Sequence, residues 1–183
     1  MSIMNLKLTF FITIVSMVGM MQAQSTVFFE NFEGLKSGKN ITELQKKKFQ
    51  SWGKAVWTVS ESEGQGFDKS NKFVSSGVEE NTTLVKFKNL EAGVSYVFSV
   101  AVKVTDFDGK PQNGNYNVKV TSGKKDDRHK YGKEDIKNPA ADKWEKHVIK
   151  FTVIEGREKV VFQVYRWAKD TTIHVDDFKL VKE

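Results

Sequence analysis

Five apolar side chains at strict two-residue spacing, Tyr96, Phe98, Val100, Val102 and Val104 in VSYVFSVAVKVTD, limit how this chain can fold more than any other feature. On a helix these positions would scatter around the cylinder, whereas on a strand they line one face. A strand of that kind must bury its apolar face against a second layer. The same beat recurs through Tyr116, Val118 and Val120 in NYNVKVTSG, and through Ile149, Phe151 and Val153 in WEKHVIKFTV. TVFFENFEG, TTLVKFKNL, KVVFQVYRWA and TTIHVDDFKLVKE add further β-branched and aromatic runs. Between them lie the turn-forming stretches EAGV, FDGKPQNGN, IEGRE and AKDTT. Many short strands with little helical pattern predict an all-β, single-domain antiparallel sandwich or barrel.

One segment keeps a different period. In NITELQKKKFQSW, Asn40 and Glu43 form a capping-box pair, and Ile41, Leu44 and Lys48 fall at helical spacing. This predicts one short helix after the first strand. The polar stretch GKKDDRHKYGKEDIKNPAADK, residues 123–143, reads as a loop between two strands. The N-terminus, MSIMNLKLTFFITIVSMVGMMQAQ, carries Lys7, no acid, and an apolar run from Leu8 to Met21. The run is shorter than the ~20 residues a membrane span needs, and Ala23 offers a cleavage point. Residues 1–23 are therefore expected to be a signal peptide and 24–183 a single secreted domain, extracellular or periplasmic. The chain has no cysteine, which excludes disulfides and thiolate metal sites. Its formal net charge is +6, or +5 once Lys7 leaves with the signal, which suits anionic surfaces such as acidic polysaccharide, lipid headgroups or nucleic acid, or equally serves solubility alone.

The last strand breaks its own rhythm. Ile173 and Val175 share one phase, Phe178 and Leu180 the other, and the slip falls at Asp176-Asp177. A one-residue slip is what a β-bulge produces. A carboxylate turned inward there costs several kcal/mol unless it is paired or coordinated. One alternative is that one Asp points to solvent while the other caps backbone amides.

NFEG, LEAGVSYVFSVAVK, KWEKHVIKFTV and IHVDDFKLV, in this order, resemble carbohydrate-binding modules of families 4, 9 and 22. The resemblance implies a galactose-binding-like jelly roll. It also implies a structural Ca2+ between the first and last strands, held by the Asn31 carbonyl, Glu33 and Asp176. The opening FFENFEG is similar as well to the start of bacterial cleaved-adhesin domains.

Sugar recognition needs flat aromatic faces for C–H surfaces and planar polar groups for hydroxyls. If Phe162 and Val164 face the core, Gln163, Tyr165 and Trp167 project from the opposite face. Lys103, Asn117 and Lys119 join that face if their strands belong to the same sheet. Tyr165 and Trp167 would stack on sugars, Gln163 and Asn117 would bond hydroxyls, and Lys103 and Lys119 would favour an acidic glycan. Trp57 and Trp52 are additional aromatic candidates, and Arg166 sits out of phase. The alternative for Tyr165 and Trp167 is a second small core beneath a loop.

The expected function is non-catalytic polysaccharide binding by a monomer, without membrane insertion or nucleic-acid binding. A protein-binding or adhesive sandwich of a surface complex is the alternative. A polysaccharide lyase is the third reading, and it requires a Tyr, a His and a cation converging within hydrogen-bond reach. His147 and His174 stand singly on strands, without an accompanying motif.

Overall fold

A computed structural model describes residues 24–45, 48–53, 56–76, 82–105, 114–123, 127–166 and 171–183. Residues 1–23, expected to be a signal peptide, and Trp167 lie outside the described residues. Eleven strands form the described fold: β1 Ser25–Glu30, β2 Phe49–Trp52, β3 Thr58–Glu61, β4 Lys72–Ser75, β5 Thr82–Asn89, β6 Ser95–Thr105, β7 Tyr116–Ser122, β8 His129–Ile136, β9 Glu145–Thr152, β10 Lys159–Arg166 and β11 Thr172–Lys182. A six-stranded sheet runs β3-β4-β11-β6-β9, with β1 also on β11. A five-stranded sheet runs β2-β5-β10-β7-β8. Every pairing is antiparallel, so the expected β-sandwich is the observed one.

The two-residue beat of β6 explains the layering. Tyr96, Phe98, Val100, Val102 and Val104 are all buried between the sheets. They meet Phe162 and Val164 of β10 and Val118 and Val120 of β7 from the other sheet. At the centre the Phe98 ring lies 4.9 Å from both Phe162 and Phe178. Aromatic packing of this kind contributes beyond its buried area, and deleting one such ring costs about 3–5 kcal/mol.

The expected short helix after the first strand is present, and one other expectation needs correction. The lysine-rich segment makes only a four-residue helix, α1 Ile41–Leu44, capped by the Asn40 side chain, which accepts from the Thr42 amide at 3.0 Å. Ile41 is fully buried, and β2 begins at Phe49, which packs against Phe32 and Phe178. The polar stretch 123–143 is not a loop throughout: His129–Ile136 is β8, an edge strand of the five-stranded sheet. Its charges hid it, and charged side chains on an exposed edge discourage pairing with other chains. Only glycine fits at Gly132, since a Cβ there would run into Ile149 of β9.

The phase slip in β11 is a bulge. Its register against β6 shifts between Asp176 and Lys179, and Asp177 takes a left-handed φ of 47°. With the extra residue absorbed, Ile173, Val175, Phe178 and Leu180 all reach the same core.

Candidate functional site

The outward face of the five-stranded sheet gathers most of the candidate residues. Strand register puts Trp52, Thr83, Tyr165, Asn117 and Asp135 in one row across β2, β5, β10, β7 and β8. The next row is Gln50, Val85, Gln163, Lys119 and Lys133. Phe87, Val161, Thr121 and Lys130 follow. Their neighbours in sequence, Leu84, Val118, Phe162 and Val164, fill the interior, so alternation aims this set away from it.

Trp52 is 38% exposed, and its ring lies 6.0 Å from that of Phe87. Tyr165 is half-buried. Gln163 is buried and donates through Nε2 to Thr121 Oγ1 at 3.0 Å. Asn117 is only 2% exposed, and its Oδ1 has no hydrogen-bond partner. Among the described residues it is the one such buried side-chain oxygen on this face. A buried amide oxygen left unbonded costs about 1–3 kcal/mol, a cost that an ordered water or a ligand donor admitted to the site would relieve. Lys119 holds its ammonium over the Tyr165 ring, 5.0 Å from the centroid. Burial, then the charges of Lys133 and Arg128, lower the Lys119 pKa, while Asp135 opposes them. Asp135 is itself bridged to Lys133.

Two candidates lie elsewhere. Trp57 is 0% exposed and belongs to the core, so it cannot stack on a ligand. Lys103 sits on β6, in the other sheet, and faces away from the five-stranded surface. Its Nζ lies over Phe73 and Trp144 at 5.3 and 5.0 Å and donates to the Gln65 carbonyl at 3.3 Å. The aromatic that sequence reasoning ranked too low is Trp52, whose position depends on β2 pairing with β5.

Asp176 faces outward from β11 and is covered by the 3-10 turn Phe67–Lys69. Its Oδ2 accepts from the Phe67 amide at 3.0 Å and the Ser70 hydroxyl at 2.8 Å, and its Oδ1 accepts from the Asp177 amide at 2.8 Å. Glu33 Oε1 accepts from the amides of Asn71 and Lys72, both at 2.8 Å. Asn31 Oδ1 accepts from the Glu33 amide at 3.4 Å. These are amide and hydroxyl bonds that a cation would have to displace. Among the described residues no three or more carboxylates or histidines converge on a metal position. Calcium takes six to eight oxygens, and here both Asp176 oxygens, Glu33 Oε1 and Asn31 Oδ1 already accept from protein donors. The carboxylates act as caps for the 66–72 segment.

Two of the three strand histidines, His174 and His147, have hydrogen-bond partners within the protein. His174 bonds Ser75 Oγ at 2.7 Å and Thr105 Oγ1 at 2.8 Å. His147 bonds Glu134 Oε2 at 2.8 Å and the Tyr116 hydroxyl at 2.7 Å. A Tyr and a His thus do converge, but both are buried in the interior, Tyr116 at the five-stranded and His147 at the six-stranded sheet. Burial, and then Glu145, push the Tyr116 hydroxyl up, which keeps it protonated and so a donor rather than a base. Arg166 is buried beside Tyr116 in the register rather than on the outer face.

No family model matches this chain. No curated protein matches it either. Solved structures do. A Clostridium thermocellum xylanase 10B chain with CBM22-1 and GH10 modules, complexed with xylohexaose, is 15% identical over 86% of this chain, with a TM-score of 0.59. This chain spans 28% of that one. The C-terminal family 22 carbohydrate-binding module of Clostridium thermocellum Xyn10B is 11% identical, with 86% of this chain and 94% of that one covered and a TM-score of 0.61. A CBM4 structure is 16% identical over 84% of this chain and 99% of its own length, with a TM-score of 0.54. Identities this low establish architecture, and the architecture is the jelly-roll sandwich shared by family 22 and family 4 carbohydrate-binding modules.

Proposed function

We propose that this protein is a secreted, non-catalytic polysaccharide-binding module that takes an acidic glycan on the outward face of its five-stranded sheet. The observation that carries the reading is the unbonded Asn117 Oδ1, buried in the same cross-strand row as Trp52 and Tyr165. A sugar hydroxyl is the donor that oxygen lacks. Trp52 and Tyr165 stand two strands apart, on the order of 10 Å at the usual strand spacing. Two units of one sugar chain laid across the strands can therefore contact both rings. Lys119, Lys130 and Lys133 bring cationic charge to the same face, which favours a uronate-bearing polymer over a neutral one. The solved structures with this fold support the class of ligand, since family 22 and family 4 modules bind carbohydrate. The interior position of Tyr116 and His147, 1% and 7% exposed, argues against lyase chemistry.

Affinity electrophoresis through gels carrying neutral and acidic polysaccharides in turn tests this directly. Retardation by an acidic polymer, relieved in Trp52→Ala, is the expected result. Free migration through the whole panel would overturn the reading and favour a protein partner for the same face.

A further inference from the structure

The Tyr165 platform is not bare. The Lys119 ammonium lies over the ring at 5.0 Å from its centroid, where a stacking sugar would sit. Among the described residues Lys119 makes no ion pair and no hydrogen bond. The carboxylate best placed to neutralise it, Asp135, is bridged to Lys133 instead. Lys133 and Arg128 add charge of the same sign nearby. A half-buried ammonium without a counter-ion therefore rests on an aromatic face.

We propose that Lys119 is a specificity-determining gate, covering Tyr165 in the free protein and leaving the ring for a carboxylate on an incoming glycan. This inference rests on the polysaccharide reading of the five-stranded face. A ring face can hold a cation or the C–H surface of a sugar, but not both at once. A neutral chain must strip the ammonium from the ring and leaves it with nothing in exchange. An acidic chain offers an anion, and the four-carbon stem lets the ammonium swing off the ring to meet it. Lys133 and Arg128 strengthen the bias, because their repulsion makes any anion welcome at this end of the face. The gate therefore selects by what it costs neutral ligands as well as by what it contributes to acidic ones.

The test uses matched probes: glucuronoxylan, polygalacturonate and alginate, each beside its carboxyl-reduced, uncharged form. Wild type should be retarded more by a carboxylated polymer than by its reduced partner. In Lys119→Met the two affinities should move in opposite directions. Binding of the reduced form should rise about two- to sixfold as the platform opens. Binding of the carboxylated form should fall on the order of tenfold and lose much of its salt dependence. Lys119→Arg, which keeps a cation able to lie on the ring, should retain the wild-type preference. Trp52→Ala should weaken both forms alike.

Equal loss of both forms in Lys119→Met would reduce Lys119 to an ordinary contact and overturn the gate while leaving the binding face intact. Unchanged binding of both forms would do the same. Wild-type retardation by none of the probes would overturn the reading on which the gate rests, and the gate with it.

Discussion

Replacing Asp176 by Asn asks what the carboxylate at the β11 bulge is doing. Burial raises its pKa from 3.8 to about 7, against the pull of the Ser70, Asp177 and Phe67 donors and with a small push from Asp177. Below about pH 4 the folded and unfolded chains both hold the proton and the group makes no net difference. Between about pH 4 and 7 the unfolded chain releases it while the folded chain keeps it, so stability falls as pH rises. Above about pH 7 both are ionised and the cost is constant. Three units at about 1.4 kcal/mol each set an upper limit of roughly 4 kcal/mol at pH 8, which solvent and relaxation reduce. Asparagine keeps an oxygen for Phe67 and Ser70 but loses the bond from the Asp177 amide, which offsets about 1 kcal/mol. The variant should therefore melt above wild type at pH 8, by several degrees for a domain of this size, and no higher than wild type near pH 4. Scanning calorimetry of both proteins from pH 4 to 8, with calcium and with a chelator, reads the difference directly. Calcium should move neither curve. A variant less stable than wild type at pH 8 would refute the burial argument. A calcium-dependent rise in wild type that the variant lacks would restore the metal.

Three further outcomes follow from the same geometry. Asn117→Ala should leave stability within about 1 kcal/mol or raise it, because its Oδ1 bonds nothing in the protein, yet lower polysaccharide affinity at least about fivefold, read by melting and by titration calorimetry. Trp57→Ala should lose about 3–5 kcal/mol of stability in urea unfolding, since the ring is wholly inside the core. Tyr116→Phe removes the hydroxyl bonded to His147, so it should cost about 1–3 kcal/mol in the same assay while polysaccharide binding stays unchanged. Lost binding without lost stability in that variant would place Tyr116 in the binding site and refute its purely structural role.

Two of the three histidines illustrate a wider feature of the molecule. Each is held by two neighbours, His147 by Glu134 and Tyr116 and His174 by Ser75 and Thr105, so its ring nitrogens already have structural partners. Lys103 behaves similarly, locked between Phe73, Trp144 and the Gln65 carbonyl on the far sheet. The outward face of the five-stranded sheet differs in leaving groups unanswered, above all Asn117 Oδ1 and the Lys119 ammonium.

What the sequence determined by itself is whatever alternation can carry. The apolar faces of β6, β7, β9 and β10 could be read residue by residue, because side chains on a strand must alternate and one face of each had to be buried. The outward projection of Gln163 and Tyr165 followed from that rule, and so did the bulge at Asp176, where the alternation fails. Alternation says nothing about which strands are neighbours. Tertiary structure alone decided that β6 lies in one sheet and β7 in the other, which separates Lys103 from Asn117 and Lys119. It also decided between two tryptophans five positions apart. Trp52 reaches the open face because β2 pairs with β5, and Trp57 enters the core just before β3 pairs with β4 in the opposite sheet. The edge strand β8 was hidden for the same reason: its charged residues become a strand only because β7 offers them a row of backbone partners. Pairing is a long-range choice made by backbone hydrogen bonds and packing between distant segments, and no local pattern records it.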